Sequence, residues 1–175
     1  MDSFYKVVEK LNDREAHRKT ELAQDIALPL GLLTLLAGFW YTLANSILFP
    51  LSTAHFVVAL LLAVSGVFLV YSAALLWRAH VGNIYKALPL ATDLAIYRSS
   101  LAEWGMQEGV PEDEVEDVWN EYFHSKLIEN ATHNAEMNER RSATIFKQKQ
   151  MLGAALVVLA IAGGTALVCG INLKP

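Results

Sequence analysis

Charged residues are missing from two long stretches of the chain. No Asp, Glu, Lys or Arg occurs from Ile26 to Trp77, and none occurs from Gln150 to Leu173. A membrane-spanning helix needs about 20 apolar residues, because each residue adds about 1.5 Å and the hydrocarbon core is about 30 Å thick. The first stretch therefore predicts two spans, about Ile26–Ser46 and His55–Trp77, and the second predicts one, about Met151–Ile171.

Three further segments predict the helices and turns around these spans. Residues 46–53 hold turn formers and a proline, which predicts a short hairpin between the first two spans. The second span is expected to continue toward Pro89, and a helix capped by Thr92 or Asp93 is expected to end at Gly105. Pro111 and the acidic residues after it are typical of a helix start. No Gly or Pro follows before Gly153, so this helix is free to continue into the third span.

The first 25 residues predict an amphipathic helix. Phe4, Val7, Val8 and Leu11 form an apolar stripe at helical spacing. Such a stripe suits either the lipid headgroup region or another helix of the same protein. The acidic residues of this arm offset its basic ones, which weakens attraction to anionic lipid and favours docking on other helices.

These patterns predict an all-α integral membrane protein in four parts. They are a cytoplasmic amphipathic helix at 1–25, a two-span hairpin at 26–77, a cytoplasmic helical hairpin or stalk at 78–149, and a third span with a short external tail at 150–175. Lys and Arg precede the first span and recur in the 78–149 segment, whereas the turn between the first two spans has none. By the positive-inside rule the N-terminus is cytoplasmic and the C-terminus external, in what we expect to be a bacterial inner membrane.

Composition and charge exclude several classes of protein. The chain is 54% hydrophobic and 18% charged, whereas a soluble domain averages about 25% charged residues. This argues against a soluble or a disordered protein. The net charge of −4 supplies no basic field, so direct binding of nucleic acid is not expected.

The chain shows no catalytic or metal-binding motif. It lacks a Gly-rich phosphate loop and the common hydrolase and zinc signatures, and Cys169 is its single cysteine. His124 and His133 fall on opposite sides of one predicted helix, so they cannot share an ion within one chain. We therefore expect no enzyme activity, cofactor or metal; a hydrolase that uses Glu121, His124 or His133 is the weaker alternative.

One polar stripe and one stripe of small residues predict contacts between helices or subunits. The polar stripe comprises Asn130, His133, Asn134, Asn138 and Arg141, which recur at three- and four-residue intervals. It is either a wet surface face or a polar seam between helices or subunits. Ala162, Ala166 and Gly170 recur at every fourth position of the third span, a spacing that favours close packing inside the protein or self-association. Four aromatic residues are expected to face a soluble partner, namely Trp104, Trp119, Tyr122 and Phe123.

The order of elements resembles a known class of membrane protein. A cytoplasmic N-terminal helix, a tight two-span hairpin and a helical cytoplasmic segment, covering Met1 to Trp104, look like the small membrane effectors that accompany bacterial anti-phage systems. The third span, Met151–Ile171, departs from that layout. The resemblance implies a protein that oligomerises on a trigger and breaches the membrane of an infected cell.

Two hypotheses about function follow. The first is an oligomeric inner-membrane effector that perturbs the bilayer, with the polar stripe and the small residues of the third span as subunit contacts. The second is a non-catalytic anchor or scaffold that presents its helical stalk to a soluble cytoplasmic partner. Both require the lipid bilayer, and the first also requires a homo-oligomer.

Overall fold

The structure is a computed structural model that describes residues 2–46 and 53–170. These residues contain five α-helices. These helices are α1 (Asp2–Gln24), α2 (Ala27–Ser46), α3 (Thr53–His80), α4 (Ala91–Glu108) and α5 (Glu112–Val168). No strand occurs among the described residues. The sequence-based prediction of an all-helical chain is therefore confirmed.

The helices belong to two compact units. The polar unit consists of the described residues of Met1–Thr20 and Ile84–Glu139, and the apolar unit consists of those of Glu21–Asn83 and Arg140–Pro175. Both α1 and α5 contribute residues to each unit. The N-terminal arm thus belongs to the same unit as the segment before and within α5. Its predicted apolar stripe is buried only in part, since Val8 is buried and Leu11 half-buried but Phe4 and Val7 are exposed.

The apolar unit is built from α2, α3 and the C-terminal part of α5. Its core is aliphatic and consists of Leu36, Leu43, Val58, Leu62, Leu69, Leu152, Ala155, Leu159, Ala162 and Ala166. Large apolar side chains also cover its outer surface, among them Leu28, Leu35, Phe56 and Val70. Three helical stretches of the described chain, Phe4–Ser46, Thr53–His80 and Glu112–Val168, are long and apolar enough to cross a membrane.

A tryptophan joins α2 to α3 inside the apolar unit. Trp40 Nε1 donates a hydrogen bond of 2.8 Å to the carbonyl oxygen of Leu62. Gly66 leaves room for the indole ring, since a Cβ at this position would lie 3.4 Å from Trp40 Nε1. Such a contact satisfies the indole N–H without water, as a low-dielectric environment requires.

Buried residues of α5 follow a seven-residue repeat through both units. From Leu127 to Ala166, apart from the additional buried residues Asn130 and Gly163, the spacing between buried positions alternates between three and four. This is the period at which one side of a helix faces a neighbouring helix. The positions are Leu127, Ala131, Asn134, Asn138, Arg141, Ile145, Gln148, Leu152, Ala155, Leu159, Ala162 and Ala166. One face of α5 therefore supplies packing residues to each unit.

Two predicted helix ends are wrong, and glycines explain both. α3 ends at His80 instead of continuing toward Pro89, because Gly82 takes a φ of 86°. α4 begins at Ala91 without a side-chain cap and continues past Gly105 to Glu108, where Gly109 at φ 70° ends it. Gly105 lies inside the helix, and a Cβ there would overlap Val115 of α5.

Two other predictions fall partly outside the described residues. The α2–α3 turn was predicted at residues 46–53, of which 47–52 are not described, and the predicted end of the third span at Ile171 is not described either.

Candidate functional site

The polar stripe of α5 binds the non-helical segment that follows α3. Asn134 pairs with the backbone of Lys86 through both of its side-chain atoms: Lys86 N donates to Oδ1, and Nδ2 donates to the Lys86 carbonyl oxygen, each at 2.9 Å. One residue earlier along α5, His133 Nε2 lies 2.9 Å from the carbonyl oxygen of Ile84. The amide thus gives the segment the two hydrogen bonds that a neighbouring β-strand would give.

Asn138 joins three parts of the polar unit. Its Oδ1 accepts a hydrogen bond of 2.9 Å from the Tyr85 hydroxyl. Its Nδ2 donates to the backbone oxygen of Glu15 at 2.9 Å and to Glu15 Oε2 at 3.0 Å. Asn138 is fully buried, so these bonds replace the water that its amide would otherwise need.

Glu15 is a buried carboxylate on α1, only 2% exposed. Its Oε1 lies 3.2 Å from Arg14 and its Oε2 lies 3.8 Å from Arg18. A buried charge is costly unless it is paired and hydrogen-bonded. Arg14 and Arg18, which are on α1 as well, supply the ion pairs. Asn138 supplies the hydrogen bonds, and these connect α1 to α5.

A surface ion-pair network lies beside this seam. The carboxylate of Glu129 accepts hydrogen bonds from the ammonium groups of Lys86 and Lys126. The hydrogen bond from Lys86, followed by that from Lys126, lowers the pKa of Glu129 from its ordinary value of 4.5 to about 2. Glu129 in turn raises the pKa of Lys126.

The structure buries most of the polar stripe, so its interpretation as a wet surface face is wrong. Asn130, Asn134, Asn138 and Arg141 are 4%, 9%, 0% and 6% exposed, and His133 is half-buried. Asn134 and Asn138 make the contacts of a seam between parts of one chain. Arg141 belongs to the apolar unit, and a contact of the stripe with a second subunit stays a prediction.

The sequence analysis missed the partners of the stripe. Glu15 stands midway between the buried residues Val8 and Leu22 at seven-residue spacing. A carboxylate at an otherwise apolar position of a helix face signals a buried polar partner. Tyr85 and Lys86 gave no comparable signal, because Lys86 contributes backbone atoms to its contact with Asn134.

Three of the four predicted partner-facing aromatics lie in one cluster, where they are half-buried. The ring centroids of Trp119 and Phe123 are 6.0 Å apart, and Tyr97 of α4 lies 4.5 Å from Tyr122. These rings pack α4 against α5. Trp104 lies outside the cluster and is exposed.

α4 has an outer face with no neighbour among the described residues. Gly105 is the one residue of this helix that is buried. Ile96, Trp104 and Met106 are 63%, 46% and 82% exposed. Large apolar side chains left in this way on a polar unit are typical of a binding surface.

The small residues of the third span divide between two environments. Ala162 and Ala166 are buried in the core of the apolar unit, where they let the helices approach closely. Gly170 is exposed and follows α5 at a φ of 67°. The two alanines thus pack inside the chain, whereas self-association through this face stays a prediction.

The apolar unit contains a second hydrogen bond between helices, besides that of Trp40, and an open groove. Gln148 Nε2 of α5 donates to Ser72 Oγ of α3 at 3.0 Å, and both residues are fully buried. A groove of about 740 Å³ runs beside Trp40, Gly66, Tyr71 and Ala74 with an almost wholly apolar lining. In the described chain, no group of three or more His, Cys, Asp or Glu side chains could hold a metal ion.

Comparisons with protein-family models, with curated proteins and with solved structures found no match to this chain.

Proposed function

We propose that this protein is a non-catalytic membrane anchor that presents its polar unit to a soluble partner. α4 carries this proposal. Its outer face leaves large apolar side chains exposed on a unit whose internal contacts include aromatic packing, hydrogen bonds and ion pairs. A face of this kind is stabilised by a partner rather than by water.

The composition of the apolar unit supports the anchoring part of the proposal. Its interior is mainly aliphatic, with few buried polar side chains such as Ser72 and Gln148, and its groove beside Trp40 offers a solute almost no polar atoms. An aqueous pore requires polar groups along its wall. An apolar surface around a filled core is what a bilayer solvates well.

The sidedness of the anchor follows from its basic residues. The polar unit contains eight of the 14 Lys and Arg residues, five in residues 1–20 and three in residues 84–139, whereas the predicted turn at 46–53 contains none. By the positive-inside rule we place the polar unit in the cytoplasm and the C-terminus outside. The soluble partner is accordingly a cytoplasmic protein.

The oligomeric effector is the other hypothesis. Its subunit contacts were expected at the polar stripe and at Ala162 and Ala166. Asn134, Asn138 and both alanines already have partners within one chain. An effector would therefore have to separate these contacts on activation, or to associate through other residues.

The mass of the full chain in nanodiscs, measured together with dye leakage from liposomes that contain it, distinguishes the two hypotheses. We expect a monomer or dimer and tight liposomes. A discrete larger oligomer with leakage would overturn the anchor. Replacing Cys169 by Ser and introducing Ser125→Cys or Ser52→Cys tests the sidedness: a membrane-impermeant thiol reagent should label residue 52 from outside and residue 125 from inside.

A further inference from the structure

The acidic residues of the chain are concentrated around α4 and the start of α5. Residues 91–121 contain nine of the 18 acidic residues and one of the 14 basic residues, so their net charge is −8 while the rest of the chain carries +4. The acidic residues are Asp93, Glu103, Glu108, Glu112, Asp113, Glu114, Glu116, Asp117 and Glu121. The single base, Arg98, forms an ion pair of 3.0 Å with Glu116.

Apolar and acidic side chains share the outer face of α4. Ile96 and Trp104 are exposed and lie eight residues apart, about 80° apart around the helix, which places them on one side of it. Tyr97 is not part of this side, since it packs on Tyr122 of α5. Asp93 and Glu103 lie on the same stripe, three residues before and seven after Ile96. The opposite side of α4 contains Gly105 and packs on α5.

We propose that this acidic face of α4, comprising Asp93, Ile96, Glu103, Trp104 and Glu108, binds a Lys- and Arg-rich amphipathic helix of a soluble protein. The proposal rests on the anchor function above and names the chemistry of its partner. The apolar side chains of such a helix cover Ile96 and Trp104, and its cations meet the surrounding carboxylates.

The same charge opposes the other candidate occupants. A second copy would bring three more acidic side chains to the same face and the net charge of −8 of its own 91–121 stretch close by, and like charges brought together raise the free energy of association. Anionic lipid headgroups and nucleic acids are repelled for the same reason. A cationic helix is the occupant that both the exposed apolar residues and the charge favour.

A designed peptide tests the proposal on the full chain in phosphatidylcholine nanodiscs. The probe is a labelled helix of about 18 residues with Leu on one face and Lys on the other, which is long enough for several turns. A matched peptide has Glu in place of Lys, and empty nanodiscs give the contribution of the lipid. Fluorescence anisotropy gives the affinity above that of empty discs.

Three results are expected. The Lys peptide binds saturably, and its affinity falls about tenfold or more when the salt is raised from about 0.05 to about 0.5 M. Trp104→Ala, and separately the pair Glu103→Gln and Glu108→Gln, weaken binding about fivefold or more. The control pair Glu9→Gln and Glu136→Gln, which alters exposed acidic residues outside the stretch, leaves the affinity within about twofold.

Other results would overturn the proposal. They are no binding above that of empty discs, equal binding of the Glu peptide, equal weakening by the control pair, or dimerisation that Trp104→Ala abolishes. If the liposomes are tight but the Lys peptide does not bind, the proposed binding of a cationic helix to α4 is wrong and the anchor proposal is unaffected. Liposome leakage from a larger oligomer that still binds the Lys peptide would overturn the anchor and leave the binding face in place.

Discussion

The two units use the same repeat of α5 with different chemistry. In the polar unit the repeat places Asn134 and Asn138 at buried positions beside one Leu and one Ala. In the apolar unit it begins with Arg141, Ile145 and Gln148 and then places only Leu and Ala there. The asparagines contact their partners through directional hydrogen bonds, whereas the apolar residues contact theirs through packing that depends on size and shape. The helical period thus specifies which face of α5 is buried, and the residue type at each position specifies whether the contact is a hydrogen bond or apolar packing.

The largest expected effect is at Asn138 in the polar unit. Asn138→Leu keeps the branched shape of the side chain but leaves the Tyr85 hydroxyl and the Glu15 carboxylate without their amide partner. We expect the free energy of unfolding of the polar unit to fall by about 3 kcal/mol, because a buried charge loses a hydrogen bond. Hydrogen exchange of α1 measures this loss. Thr132→Leu, on the exposed side of the same helix, is the control, and an equal effect of both changes would contradict the seam.

The matching change in the apolar unit acts through size. Ala162→Leu adds volume at a fully buried position between packed helices. We expect the free energy of unfolding of the apolar unit to fall by about 2 kcal/mol, which is typical of overpacking. Thermal unfolding in detergent measures it. Ala160→Leu, two residues away and exposed, should be nearly neutral, and a loss of similar size at both positions would remove the distinction between the two sides of α5.

The buried hydrogen bond of the apolar unit should matter less than those of the polar unit. Ser72→Ala removes the acceptor of Gln148 Nε2. We expect the free energy of unfolding to fall by about 0.6 kcal/mol, the average found for hydrogen bonds between membrane helices. The same unfolding measurement applies. A loss as large as that of Asn138→Leu would show that directional bonds dominate both units.

The smallest effect concerns pH and the surface of the polar unit. Because the folded pKa of Glu129 is about 2 and its ordinary value is 4.5, its ion pairs stabilise the fold above the ordinary pKa and are lost as the pH falls through the folded one. An NMR titration of the Glu129 carboxyl should give the low midpoint, and Lys86→Gln should raise it. An ordinary midpoint in the unmodified protein would contradict the Lys86 contact.

Much of the fold was predictable from the sequence because its signals are local. Absence of charge over 26–77 and 150–173 predicted three helices of spanning length, which the structure contains. The uninterrupted stretch after Pro111 permitted one long helix, and α5 runs from Glu112 to Val168. The helix ends at Gly82 and Gly109 were missed, since a glycine's conformation depends on the chain that follows it.

The candidate site was predictable only in part. The spacing of Asn130, Asn134 and Asn138 identified a polar face of α5, and the structure buries it. Its partners were not predictable, because an amide side chain can bind any backbone or carboxylate that is brought near it. The acidic, aromatic character of α4 was present in the sequence, but its exposure appears only once Gly105 is seen to pack on Val115.

The sequence by itself determined the helical class, the three apolar helices and the polar stripe of α5, because charge content and periodicity act within a single helix. It did not determine the buried face of α1, where Phe4 and Val7 are exposed and Glu15 is buried. The tertiary structure alone decided that Asn134 binds the backbone of Lys86, that Glu15 of α1 is the buried carboxylate beside Asn138, and that α4 keeps an open face. These choices depend on residues that are distant in the chain. Their free energies are set by burial and geometry, which no local pattern contains.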